Sequence, residues 1–295
     1  MISAGEPGPR VASTVMARLV GVAGITHNPL MWSLLASGTP EDLVTTASHA
    51  RSFRERVANL SPDVIVLVAS DHLHMLVTSN MPAFMIGKSP SIRAVHPNEQ
   101  RSFGLSPATI EGHPTLARHL LGGQAMTTEF DFAFSDEPWL DHSFVIPLLF
   151  LTPELDVPVV PIFTNANSPP IPTARRFWQL GSYLNAAIAS APGDQRVLVV
   201  GSGHLAFELG GPRQFLGVSP DREFDTQAIS WMADGDLDTA VAGSSFDRLT
   251  SAGNETYQFL NFVTCLAAAN SRPADVSAGP ESRFGALPFF FWDLT

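Results

Sequence analysis

Residues 64–72 read VIVLVASDH, and residues 197–204 read VLVVGSGH. Both are short apolar runs rich in β-branched residues, and both stop abruptly at a polar pair or a glycine turn that carries a histidine. A strand with one face in water alternates apolar and polar residues, whereas a strand covered on both faces is apolar throughout. These two runs therefore predict central strands of a sheet sandwiched between helix layers. RLVGVAGI (18–25) is a third strand candidate and ends at THNP, where Asn28-Pro29 marks a turn. VPVVPIF (157–163) is a fourth, but Pro158 and Pro161 predict an edge or interrupted strand.

Helical spacing lies between these runs. Val44, Ala47, Ala50, Phe53 and Val57 predict a helix over 43–59, and Phe177, Leu180, Leu184, Ala187 and Ile188 predict one over 174–189. Further helices are expected over 111–121, from about 222 to 232, and from near 255, where Phe259, Leu260, Phe262, Val263, Leu266 and Ala267 give a broad apolar face. Residues 86–108 carry Gly, Pro and Ser with little periodicity and predict an irregular crossover. FGALPFFFWDL, at 284–294, reads as a last strand or as a tail packed on the core. Alternating strands and helices give an α/β fold with a central, mostly β sheet flanked by helices. Residues 1–15, rich in Gly and Pro, are expected to form a flexible N-terminus, and 16–295 a single catalytic domain.

Composition narrows the function. Acidic residues outnumber basic ones 28 to 17, for a formal net charge of −11, which argues against a general nucleic-acid or anionic-membrane surface. A few local arginines could still receive an anionic small molecule; Arg213, Arg175 and Arg176 are the candidates, each also readable as a solvated surface arginine. The one cysteine, Cys265, excludes an internal disulfide and any cysteine-rich metal site, and its apolar surroundings read as core. With no apolar stretch approaching about 18 residues, no membrane span is expected. A cytoplasmic protein is the default expectation.

Polar residues recur where the apolar runs end: His27 after GVAGI, Asp71-His72 after VIVLVAS, and His204 after VLVV. In open α/β sheets the crevice beyond the carboxyl ends of the strands is where ligands sit. Glu255, in AGNETYQFLNF, falls in the first turn of an apolar helix, where it could cap the helix or serve as a fixed metal carboxylate. Two histidines and one carboxylate with open positions make the facial set of non-haem Fe(II) oxygenases. Asp71 could orient His72 or cap a turn. His74, two residues past His72, points elsewhere on an extended backbone, and His49 reads as helix surface.

Five stretches in order resemble the class III (LigB-like) extradiol ring-cleavage dioxygenases: GITHNP, VASDH, LDHSFVIPL, TNANSPPIPTARRFWQLG and AGNETYQFLNFVTCLAA. The resemblance covers roughly residues 20–270. It implies Fe(2+) held by His27, His72 and Glu255, with His142 lining the pocket for substrate and dioxygen. It also implies a small, catechol-like and often carboxylated aromatic substrate, into whose ring both atoms of dioxygen are inserted. A homo-oligomer, or association with a small partner subunit, is implied as well.

The sequence departs from the family at one place. The family's GSGGLSH stretch carries its proton-transfer base on the final histidine; here the residues are Gly201-Ser202-Gly203-His204-Leu205-Ala206-Phe207. Phenylalanine moves no proton, and a histidine stands three residues earlier. Either His204 replaces the base, or His142 does the proton work, or the chemistry is altered, toward aminophenol cleavage or metal-dependent hydrolysis or lysis. A non-catalytic subunit is the remaining alternative. A phosphate loop is not: VGSGHLAFELGG lacks the Lys-Ser/Thr of a P-loop, and Phe207 breaks the G-x-G-x-x-G spacing.

Overall fold

The computed structural model describes residues 15–123, 130–214 and 216–295, so the expected flexible N-terminus lies, apart from Val15, outside the described residues. The strands are β1 (Arg18–Thr26), β2 (Val64–Ser70), β3 (Phe84–Gly87), β4 (Ser91–Ala94), β5 (Ala108–Glu111), β6 (Ala133–Ser135), β7 (Trp139–Leu140), β8 (Val159–Thr164), β9 (Arg196–Gly203), β10 (Val276–Ala278), β11 (Glu281–Ser282), β12 (Gly285–Ala286) and β13 (Phe289–Asp293). The helices are α1 (Pro29–Ser37), α2 (Val44–Leu60), α3 (Pro97–Phe103), α4 (Pro114–Leu120), α5 (His142–Leu151), α6 (Ala174–Ala189), α7 (Arg222–Asp234), α8 (Leu237–Gly243), α9 (Phe246–Ala252) and α10 (Leu260–Ala268).

An eight-stranded sheet runs in the order β10-β13-β1-β9-β2-β8-β3-β6. Its middle four strands, β1, β9, β2 and β8, are parallel, so their carboxyl ends share one edge. The continuous apolar runs divide between two cores by the period-2 rule. Val64, Val66 and Val68 pack with α6 and α10, while Ile65, Leu67 and Ala69 pack with α2 and α5. In β9, Val197 and Val199 take the first side and Leu198 and Val200 the second. The tail resolves into β13, antiparallel to β1, with Phe289–Trp292 buried. No helix among the described residues is long and apolar enough to cross a membrane.

Two expectations are corrected. β8 is neither an edge nor interrupted: it lies between β2 and β3. Its proline is accommodated because β3 pairs only with Thr164, Phe163 and Ile162 and leaves the ladder before Pro161. The 86–108 stretch is not an irregular crossover. It contains β4 and α3, elements of four and seven residues, too short to show a period. β4 joins β5 and β7 in a small separate sheet.

Close approach of α10 to β9 depends on glycine. A Cβ on Gly201 would lie 2.3 Å from Cys265 Sγ, and one on Gly203 would lie 2.3 Å from the backbone oxygen of Gln258. The helix and the turn before it, Thr256–Phe259, can thus lie directly against the strand that leads to His204. The loop after β9 is held from the other side by Asp225 of α7, whose Oδ1 accepts from the backbone N–H of Ala206 at 2.8 Å. Asp225 is buried and its Oδ2 has no partner, so burial raises its pKa to about 7.

Both contacts make stability predictions. Gly203→Ala forces a Cβ into fixed backbone and is expected to cost about 1–3 kcal/mol, measured as a lowered denaturant midpoint; an unchanged midpoint would show that the contact can relax. For Asp225, the folded state keeps its proton above the unfolded value of 3.8. Between that value and about 7 the unfolded chain alone releases a proton, so stability falls as pH rises and is level outside this window. Asp225→Asn should remove this decline, so that the stability difference between variant and wild type grows by up to a few kcal/mol from pH 4 to pH 7, roughly 1.4 kcal/mol per pH unit. A difference independent of pH would contradict it.

Candidate metal centre

The shared edge of the parallel strands collects four histidines. His27 follows β1, His72 follows β2 by two residues, His204 follows β9, and His142 opens α5. Their rings form one cluster: centroids are 4.2 Å apart for His27–His204 and for His72–His142, 5.3 Å for His27–His72 and 5.6 Å for His27–His142. His27 is fully buried and His142 and His204 nearly so, while His72 is half-buried.

The hydrogen bonds determine which nitrogen each ring offers. Ser202 Oγ donates to the backbone oxygen of Ser143 at 2.6 Å, so its contact of 2.8 Å with His27 Nδ1 is one in which the ring donates. His72 Nδ1 donates to Asp141 Oδ2 at 3.1 Å, and His142 Nδ1 to Glu99 Oε1 at 2.5 Å. Each carboxylate also accepts the backbone N–H of the same histidine, at 2.7 Å for Asp141 and 3.1 Å for Glu99. In the neutral rings this leaves the lone pairs on the three Nε2 atoms. One nitrogen from each of His27, His72 and His142 lies within 4.8 Å of the other two. His27 Nε2 is buried with no partner, a costly arrangement unless something binds it.

Glu255 is not in that tight group but borders the same cavity as His72. The Gln258 side-chain amide links them: its Nε2 donates to Glu255 Oε2 at 2.9 Å and lies 3.3 Å from His72 Nε2. The imidazole lone pair and the carboxylate are thus aimed at one point, now filled by an amide nitrogen. Glu255 makes no side-chain cap for the turn that follows it. Two neutral imidazoles and a carboxylate fit a divalent ion such as iron or zinc, and the orphaned Nε2 of His27 supports that fit.

Electrostatics keep three of the four rings in the neutral form, with a lone pair free. Burial, then the neighbouring imidazoles, holds His27 and His204 below the ordinary histidine range, His204 at about 3. Burial and His72 also lower His142, against the opposing pull of Glu99 and Asp141. At His72 burial is outweighed by Asp141, Glu255 and Asp71, and its pKa is raised. The Asp141 carboxyl is held low, its burial overcome by His72. Glu255 is raised by burial, which the Gln258 hydrogen bond only partly offsets.

Asp71 caps its own turn, accepting from the backbone N–H groups of His74, Met75 and Leu76. The carboxylate that orients His72 is Asp141, 69 residues away in sequence. Glu99 carries no sequence signal, whereas Asp141, Ser202 and Gln258 lie within LDHSFVIPL, GSGHLAF and AGNETYQFLNF without a mark of their roles. Only the adjacency of Asp141 to His142 could have flagged one of them. His74 lines the cavity, contacts Glu99 Oε1 at 3.2 Å and stacks on His96. His49, expected on the surface, is half-buried and stacks on Phe289. Cys265 is buried core.

The cavity measures about 620 Å³ and is bordered by His72, His142, His204, Phe207, Glu255 and Gln258 at the site end. His204 and Phe207 stack at 4.4 Å, so the offset of three residues leaves both rings on one wall. None of the three candidate arginines lines this cavity. Arg213 pairs with Glu208, Arg176 bonds Gln179, and Arg175 lies over Trp178.

Comparison with known proteins gives the family. The family model described as the catalytic LigB subunit of aromatic ring-opening dioxygenase matches residues 21–280. A 2,3-dihydroxyphenylpropionate/2,3-dihydroxicinnamic acid 1,2-dioxygenase of Paraburkholderia xenovorans is 32% identical over 185 residues, 62% of this chain and 55% of the relative. Its counterpart in Rhodococcus jostii is 31% identical over 191 residues, 64% of this chain and 57% of the relative. The gallate dioxygenase of Pseudomonas putida is 38% identical over 107 residues, 35% of this chain and 31% of the relative. The chain thus spans about half the length of the first two and less of the third. A crystal structure of the uncharacterized protein JW3007 from Escherichia coli K12 shares the fold, with a TM-score of 0.60 at 16% identity over 92% of this chain and 99% of that one. With a match that runs from β1 past β10, the chain belongs to the LigB family.

Proposed function

We propose that this protein is a non-haem Fe(II) extradiol dioxygenase that opens the ring of a catechol-like aromatic, inserting both atoms of dioxygen. The observation that carries this reading is the convergence of imidazole lone pairs, each tautomer fixed through Nδ1, beside the half-buried carboxylate of Glu255 at the end of a substrate-sized cavity. His27, His72 and Glu255 would hold the iron, the Gln258 amide giving way to it. Bound there, iron would supply Lewis acidity toward the diol and one-electron chemistry toward dioxygen.

The protein's own groups would manage geometry and protons. Ser202 and Asp141 keep the Nε2 lone pairs of His27 and His72 facing inward. His204 borders the cavity beside His27, and burial favours its neutral form, so its lone pair would take a diol proton. So buried a ring holds a proton only briefly, which suits a group that passes it on. His142 Nε2 is the second acceptor, and its Nδ1–H leads through Glu99 to His74 at the cavity wall. Phe207, stacked on His204, narrows that ring's freedom and keeps water from one face.

A second reading has one observation behind it: the tight group comprises His27, His72 and His142, and a three-imidazole set suits zinc and hydrolytic or lytic chemistry. Metal content separates the two. After anaerobic loading with Fe(II), Glu255→Gln should lose bound iron and oxygen uptake, whereas His142→Gln should keep the iron and lose about 10²-fold or more in kcat. The reverse pattern, or turnover without dioxygen, would favour the three-imidazole site. His204→Gln should lower kcat by about 10²-fold with KM little changed; full turnover in that variant would remove it from the base role.

A further inference from the structure

The walls of the cavity beyond the metal site are apolar. Leu30, Phe103, Phe207, Leu209 and Phe284 supply them, and the volume of about 620 Å³ is several times what a bare catechol ring fills. Among the described residues that line it, Arg283 is the one arginine or lysine. That guanidinium is already engaged: Nε and Nη2 donate to the two oxygens of Asp42 at 2.8 and 2.7 Å, and its backbone N–H donates to the same carboxylate. The pair holds the Asp42 carboxyl down at about 2, so it stays ionised at any working pH.

The surroundings add negative charge. Arg283 borders an adjoining depression lined also by Glu41, Asp42, Arg222 and Glu281. Arg222 is spent on Glu281 at 3.2 Å, as Arg283 is on Asp42, which leaves Glu41 in surplus. At the inner end stands Glu255. A carboxylated aromatic would have to displace Asp42 from Arg283 and sit beside these acids, whereas an apolar substituent would find walls to cover it.

We infer that the substrate is an uncharged catechol with a bulky apolar substituent, and that the Asp42–Arg283 pair at the cavity mouth excludes carboxylated analogues. This rests on the ring-cleavage reading and refines its substrate class.

The test compares three probes on the full chain: catechol, phenyl-substituted catechol and 2,3-dihydroxyphenylpropionate. Binding is measured anaerobically by tryptophan fluorescence and calorimetry, and kcat/KM by oxygen uptake after Fe(II) loading. The phenyl compound should bind at least about tenfold more tightly than either other probe. Asp42→Asn, which frees Arg283, should tighten the carboxylated probe by about fivefold or more and leave the phenyl compound within about twofold. Arg283→Gln should leave both within about twofold in the same assay. Preference of the wild type for the carboxylated probe, or no response of that probe to Asp42→Asn, overturns the inference while ring cleavage stands. The expected binding order without oxygen uptake for any diol supports the inference and overturns ring cleavage. Failure of all three probes to bind overturns both.

Discussion

Two buried carboxylates set the geometry on which this site depends. Asp141 takes the backbone N–H and the ring Nδ1–H of His72, and Glu99 does the same for His142. Gripping a histidine at two points fixes its tautomer and its rotamer together. Asp141 also caps α5 by accepting from Ser143, so the position of that helix and the orientation of a ring on a different strand end share one carboxylate. Burying these charges is expensive. What offsets the cost is the set of charge-assisted hydrogen bonds that each carboxylate takes from backbone N–H groups and an imidazole.

The fold delivers the rings to those carboxylates. Parallel strands end on one edge, so residues far apart in sequence arrive side by side without long loops. Bare glycine in β9 lets α10 and its leading turn press against the strand, which brings Glu255 and Gln258 to the same edge. Around this polar centre the packing is continuous and apolar on both faces. In such surroundings an unpartnered imidazole nitrogen costs about 1–3 kcal/mol, so the orphaned Nε2 of His27 is best understood as a group built for a ligand.

The sequence revealed strands better than partnerships. VIVLVAS and VLVV could be recognised because a strand buried on both faces is apolar at every position, and the histidines that end them fell where the sheet edge is. VPVVPIF misled because a proline penalises a strand only where its neighbour needs the missing N–H, and β3 has already left at that point. The pairing of His72 with Asp141 rather than with adjacent Asp71 was not legible, since it depends on how α5 docks 69 residues later. Glu99 was hidden for the same reason, in a helix of seven residues with no periodic signature. The offset between His204 and Phe207 was visible as a departure. The turn after β9 brings both rings into one stack on the cavity wall, which spacing alone does not reveal.

On the proposed reading this constellation, loaded with iron, opens an aromatic ring with both atoms of dioxygen. Turnover of a phenyl-substituted catechol under isotopically labelled dioxygen, with the product analysed by mass spectrometry, tests it most directly. The expected result is a ring-opened product carrying two labelled oxygen atoms at early time points, before solvent exchange. A ring-opened product whose added oxygen comes from water alone, or a diol recovered unchanged by the fully loaded protein, would contradict it.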